Sequence, residues 1–267
     1  MGESQFEQAT AVTRVAEGRW SCHLDPAWSI GDKPHGGYTM ATLTRAALLA
    51  ADRPHPLSVS AHFLRPPTWA PAEVLTDVVR RGRTVSTVHA RLVQEGKVCI
   101  EAVAAVGEIS EQPLEWTRRQ PPAMAPLAES HAGEGPDPQG VRSRIDLRMD
   151  PATLGFTRGE PAGEARMSGW MRLADGADPD PLMLVVAVDA LPPVVLELGH
   201  MGWAPTVELT FLLRALPVPG WLQVHADANA LSADGWFDEN AEVYDASGQL
   251  VAQSRQLALS GTAMQRR

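Results

Sequence analysis

Two hydrophobic periods alternate along the chain, and both halves use them in the same order. Residues 9–24 alternate loosely between apolar and polar positions, which predicts opening strands. From Gly37 to about Ala51 the pattern becomes helical. Tyr38, Met40, Ala41, Leu43, Thr44, Ala47 and Leu48 crowd a stretch with no interior proline that ends before Arg53-Pro54. Strand-like runs follow near 57–65, 72–81, 84–95 and 97–107. In the third, Val88, Ala90 and Leu92 alternate with Thr87, His89 and Arg91, as in a sheet with one covered face. Residues 111–140 break the pattern with Pro113, Pro121, Pro122, Pro126, Pro136, Pro138 and three glycines, the composition of a linker. The order then returns. Strands are predicted near 141–149 and 164–174. An apolar helix runs from Leu182 to about Leu191, opened by Asp178-Pro179-Asp180-Pro181 and stopped by Pro192-Pro193. Further strands are predicted at 205–214, 220–231, 234–245 and 249–260.

Local sequence supports the repeat. Leu57-Ser58-Val59-Ser60-Ala61-His62-Phe63-Leu64-Arg65-Pro66 is echoed by Val207-Glu208-Leu209-Thr210-Phe211-Leu212-Leu213-Arg214-Ala215-Leu216-Pro217. The following glycine turns lie 36 positions after Ser60, at Gly96, and 38 after Thr210, at Gly248. A helix that is apolar nearly all round must be covered on most sides. A curved sheet wrapped around it meets that demand, which is the hotdog plan. The expected class is α+β, a double hotdog of two antiparallel sheets, each wrapped around a long apolar helix. The expected organisation is an N-terminal hotdog domain (1–110), a linker (111–140) and a C-terminal hotdog domain (141–267).

The bulk numbers narrow the partners. In 267 residues, 44% are hydrophobic and 21% charged, an ordinary globular composition. A net charge of −9 argues against nucleic acid. No apolar run is long enough for a transmembrane helix, and Met1-Gly2-Glu3-Ser4-Gln5-Phe6 has no signal-like pattern. Cys22 and Cys99 stand far apart without a C-x-x-C, which fits a reducing compartment. The reading is a cytoplasmic chain with no membrane insertion. Hotdog sheets often pair at their edges, so a homo-oligomer is expected.

Asp189 is the residue that the fold explains least. It shares a helical stripe with Leu182, Val185 and Val186, near the helix end where the dipole disfavours negative charge. A buried carboxylate there needs partners or water. Thr210 alone reads as a strand-friendly residue, and Gln256 as a surface amide. The repeat separates them: Thr210 falls opposite Ser60, whereas Gln256 falls opposite Ala104, so the first copy keeps a hydroxyl and lacks the amide.

The chain resembles the double-hotdog acyl-CoA thioesterase family, the bacterial and peroxisomal medium- and long-chain type. The resemblance rests on His35-Gly36-Gly37 before the first helix and on His62-Phe63-Leu64-Arg65-Pro66. In the second half it rests on Asp189-Ala190-Leu191-Pro192-Pro193, Thr206-Val207-Glu208-Leu209-Thr210, and Gly248 through Gln256. It implies an acyl-CoA substrate, no cofactor, and a catalytic set of Asp189, Thr210 and Gln256. The chain departs from the family pattern at Glu208-Leu209, where His or Asp-His is frequent, and at Leu212-Leu213, where aromatic residues or His are common.

These residue types suit the chemistry. A carboxylate takes a proton from water or orients it, while an amide and a hydroxyl fix the other hydrogen-bond directions. Gly36 and Gly37 are candidate oxyanion donors, because unpaired N–H groups converge at a helix start. The alternative is that they only permit close packing. Arg80-Arg81-Gly82-Arg83 reads as a solvated hairpin tip or, alternatively, as a contact for the phosphates of coenzyme A. Other sites find no support: the chain has no G-x-S-x-G, no HExxH, and no phosphate loop at Gly133-Glu134-Gly135-Pro136. No metal is expected. The leading expectation is hydrolysis of acyl-CoA to free acid and coenzyme A. The alternative is a non-catalytic hotdog protein that binds acyl-CoA or acyl chains, and an enoyl-CoA hydratase ranks below both.

Overall fold

A computed structural model describes residues 2–132 and 139–264. In chain order it holds α1 (Gln5–Ala9), β1 (Val12–Ala16), β2 (Arg19–Cys22), β3 (Ser29–Ile30), β4 (Lys33–Pro34), α2 (Gly36–Ala51), β5 (His55–Phe63), β6 (Ala72–Arg80), β7 (Val85–Gln94) and β8 (Lys97–Gly107). There follow β9 (His131–Ala132), β10 (Ile145–Met149), β11 (Arg166–Leu173), α3 (Met183–Ala187), β12 (Thr206–Leu213), β13 (Leu222–Asp227), β14 (Trp236–Tyr244), β15 (Leu250–Leu259) and α4 (Gly261–Met264). The order of strands and central helices in each half matches the hydrophobic pattern.

The sheet differs from the expectation of two. All strands but β3 and β4 join one 13-stranded antiparallel sheet, ordered β1-β2-β6-β7-β8-β5-β12-β15-β14-β13-β11-β10-β9. The joint is the pair β5–β12, where Ser60 lies opposite Thr210 and Ala61 opposite Leu209. The two echoed motifs are therefore the edge strands of the two repeats. Pairing them satisfies two rows of backbone groups that would otherwise be open edges.

The two helices are unequal. α2 has sixteen residues and buries eleven of them, so it is covered on most sides as its composition requires. It starts at His35, whose side chain accepts from the Tyr38 N–H, and ends at Asp52 in the left-handed region, φ 54°. α3 keeps only five residues, all buried, instead of the run to Leu191. Past it, Asp189 N–H donates to Val186 O at 3.0 Å and Ala190 N–H to Ala187 O at 3.4 Å, a tightened final turn. Pro192 then disfavours helical geometry at Leu191.

The segment expected as a linker is partly built into the body. His131–Ala132 pair with β10, Arg119 meets Glu242 at 3.0 Å, and Trp170 Nε1 donates to Ala125 O at 3.0 Å. Gly133, Gly135, Pro136 and Pro138 lie outside the described residues. No described helix is long and apolar enough to cross a membrane.

Candidate active site

The site begins where the start of α2 meets the end of α3. A Cβ on Gly37 would lie 3.0 Å from Asp189 Cβ, from Val185 O and from Val186 Cα. Only glycine lets the two backbones come this close. The approach places the Asp189 carboxylate at the α2 N-terminus, where Oδ2 accepts from the Gly37 N–H at 2.6 Å. His35 holds the same corner. Its Nδ1 accepts from Tyr38 N–H at 3.2 Å, so its Nε2 carries the proton and donates to the Asp189 carbonyl at 3.0 Å.

Asp189 is enclosed but not sealed, with 15% of its side-chain surface open to solvent. Burial pushes its pKa up, against the pull of His35 and the Gly37 N–H. The carboxylate at the wrong end of its own helix thus sits at the favourable end of another. The Gly37 N–H is committed to it and is not free to meet an oxyanion. The Gly36 N–H has no protein acceptor among the described residues.

Gln256 reaches the core from β15. It is 7% exposed, and its Nε2 donates to Glu239 Oε1 at 2.7 Å. Its Oε1 accepts from a threonine hydroxyl at 2.7 Å, but that threonine is Thr206 and not Thr210. The cause is a bulge. Thr206 pairs with Ala258 while Glu208 pairs with Leu257, so Val207 is an extra residue on β12. Strict alternation from Glu208 and Thr210 would put Thr206 on their outer face. The bulge instead turns it to the face of buried Ala258 and Gln256. Thr210 stays on the outer face and knits the central seam: its hydroxyl lies 2.6 Å from Glu208 Oε1 and 2.9 Å from Ser60 Oγ.

Glu239 went unnoticed in the sequence. It is 5% exposed on β14, in phase with buried Phe237, Ala241 and Val243. An acid on the apolar phase of a strand was the available signal. Its Oε2 accepts from the Val194 N–H at 2.9 Å, which ties the strand to the segment after Asp189. Burial first, and then the nearby charges of Asp189 and Asp227, push its pKa up to about 7.

The arginine cluster lies elsewhere. Arg81 donates to Ala50 O at 2.9 Å and to Ala51 O at 3.2 Å, capping the C-terminal end of α2. Arg53 donates to Gly82 O at 2.6 Å and to Arg83 O at 3.2 Å, which fixes the hairpin tip. Ala51 lies fourteen residues beyond Gly37 along the helix, about 21 Å at the usual rise. Arg80, Arg81 and Arg83 thus stand at the opposite end of the helix from the acid.

The fold is a hotdog sheet whose inner helices meet where Asp189 caps the start of α2, with Glu239 near enough to feel the Asp189 charge. The chain belongs to the acyl-CoA thioesterase family: its residues 24–107 match the family's N-terminal domain and residues 118–260 its C-terminal domain. An uncharacterized protein of Mycobacterium tuberculosis is 33% identical over 92% of this chain and 91% of its own. The thioesterase-like protein TwmA of Talaromyces wortmannii is 25% identical over 95% of this chain and 91% of its own. Among solved structures, a thioesterase II candidate of Thermobifida fusca superposes with a TM-score of 0.90 at 41% identity, covering 98% of this chain and 99% of that one. A hotdog-fold protein of Alicyclobacillus acidocaldarius superposes with a TM-score of 0.86 at 24% identity, covering 97% and 98% of the two chains. Thioester hydrolysis is the general chemistry this family supports.

Proposed function

We propose that the protein hydrolyses acyl-CoA thioesters to free acid and coenzyme A through a water activated by Asp189. The carboxylate takes a proton from the water as its oxygen bonds to the thioester carbonyl carbon. The resulting oxyanion faces the start of α2, where the Gly36 N–H is the available donor and the helix dipole favours negative charge. Collapse of this intermediate breaks the carbon–sulfur bond, and the proton held by Asp189 passes to the departing thiolate. The raised pKa of Asp189 suits it to this traffic, because a stronger base takes the water's proton more readily. Gln256 and Thr206 direct the water's remaining hydrogen bonds. No covalent acyl-enzyme is needed.

The observation that carries this reading is the Asp189 carboxylate held on the Gly37 N–H at 2.6 Å and part-open to solvent, with Glu239, which is linked through Gln256 to Thr206, near enough to feel its charge. The test is thiol release from a panel of acyl-CoAs of graded chain length. Turnover in the wild type and its loss in Asp189→Asn, with substrate affinity retained, is the expected result. Binding without thiol release by the wild type overturns the reading in favour of an acyl-CoA carrier.

A further inference from the structure

Glu239 takes no part in the steps above, yet both of its oxygens are engaged. Oε1 accepts from Gln256 Nε2 at 2.7 Å and Oε2 from the Val194 N–H at 2.9 Å. The rest of its strand face is apolar, so the fold alone gives no reason for a carboxylate there. A carboxamide is nearly symmetric in shape and opposite in polarity at its two ends. What it shows to a neighbour is decided by its other contacts. An ionised carboxylate can only accept. Glu239 therefore forces the NH2 of Gln256 toward itself and the oxygen toward Thr206, whose hydroxyl donates at 2.7 Å.

Protonation reverses this logic. The Val194 N–H occupies Oε2, so the added proton sits on Oε1, which becomes a donor. Gln256 then satisfies it by turning its own oxygen inward. Its NH2 faces Thr206, and the Thr206 hydroxyl must accept instead of donate. We propose that Glu239 is a positioning residue whose protonation state sets the orientation of the Gln256 carboxamide, and with it the hydrogen-bond polarity that Gln256 and Thr206 offer to the reacting water. The kinetic side of this proposal rests on the hydrolytic reading above.

The groups around Glu239 place the switch near neutrality. Burial disfavours the charge most. The Asp189 carboxylate beyond α3 and Asp227 on β13 add to it, while the Val194 N–H and the Gln256 amide oppose it. With the resulting value of about 7, the aligned amide prevails in mildly alkaline solution and the turned amide in acid.

Glu239→Gln tests the proposal. The new side chain keeps the shape: its oxygen accepts from Val194 N–H, and its NH2 faces Gln256 as the protonated acid would. At pH 8 we expect kcat to fall roughly tenfold with KM little changed, the worth of one misaligned hydrogen bond. The part of the pH–rate profile that titrates near 7 should vanish. Because Glu239 acts through Gln256, the same substitution should add nothing in a Gln256→Ala background. Wild-type kcat in Glu239→Gln, or additive losses in the double variant, overturns the proposal.

A second readout needs no turnover. The side-chain amide resonance of Gln256, identified by its loss in Gln256→Ala, should titrate near pH 7 in the wild type and stay fixed in Glu239→Gln. A flat wild-type titration overturns the switch. A titrating amide in a protein that releases no thiol leaves the switch standing and removes the hydrolytic reading alone.

Discussion

The strand pair β7–β8 and the strand pair β14–β15 are one piece of architecture built twice. Each is an antiparallel hairpin flanking the central seam. In the first, Val88 faces Ala104; in the second, Glu239 faces Gln256. The partners extend the match, because Ala104 lies opposite Val59 on β5 and Gln256 opposite Leu209 on β12. All six residues are buried. One copy fills the place with hydrocarbon, which needs no partners. The other fills it with an acid and an amide that must find every hydrogen bond inside the protein. The fold accepts either solution, so the costlier one is not required by the architecture. The helices diverge in the same way. α2 ends with its carbonyls capped by Arg81, whereas α3 stops short and hands its terminal acid to the start of α2.

The sharpest way to break this comparison is to remove the acid. Asp189→Asn should lower kcat by about 10²–10⁴-fold, the range for losing a general base, without lowering the melting temperature. Equal turnover in the variant would make the polar copy as idle as the apolar one. Gly37→Ala attacks the approach that delivers the acid. Its Cβ would press at 3.0 Å on Val185 O and Val186 Cα, both main-chain atoms that yield little. We expect a loss of about 1–3 kcal/mol in stability, read as a lowered melting temperature, together with reduced kcat as Asp189 is displaced. An unchanged melting temperature would show that α3 moves aside freely.

Two threonines sharpen the comparison further. Thr206→Val should lower kcat roughly tenfold, because Gln256 Oε1 loses its donor. Thr210→Val should leave turnover intact and cost about 1 kcal/mol at the seam with Ser60 and Glu208. The opposite outcome would return the catalytic hydroxyl to the outer face.

This pair also shows what the sequence can tell. The order of elements, the buried α2, the doubled strand motif and the oddness of Asp189 were all legible, because each follows from local periodicity or from one polar residue on an apolar stripe. The structure sets Thr206 rather than Thr210 against Gln256, because alternation assumes an unbroken strand and one extra residue at Val207 exchanges the faces. The single sheet was hidden because edge pairing between β5 and β12 is a tertiary event. Arg81 stayed open between a hairpin tip and a phosphate contact because the sequence does not say that the helix end lies within its reach. Glu239 was readable in principle, as an acid in phase with Phe237, Ala241 and Val243.

The subtlest test of the comparison is the pH dependence of stability. The ordinary glutamate pKa of 4.5 rises to about 7 at Glu239 in the folded protein. The folded chain therefore holds this proton more tightly than the unfolded chain. The stability it contributes is complete below the ordinary value and is lost as pH rises through about 7. Asp189, also raised, acts in the same direction from a lower starting point. Glu239→Gln keeps the acceptor for Val194 N–H and removes only the titration. Thermal melts of the two proteins should lie closest in acid and separate as pH rises, the variant ahead by a few degrees at pH 8. Curves that run parallel from pH 5 to 8 would mean that Glu239 is ionised throughout. The polar copy would then carry no charge penalty for its chemistry, and the contrast with Val88 and Ala104 would be one of shape alone.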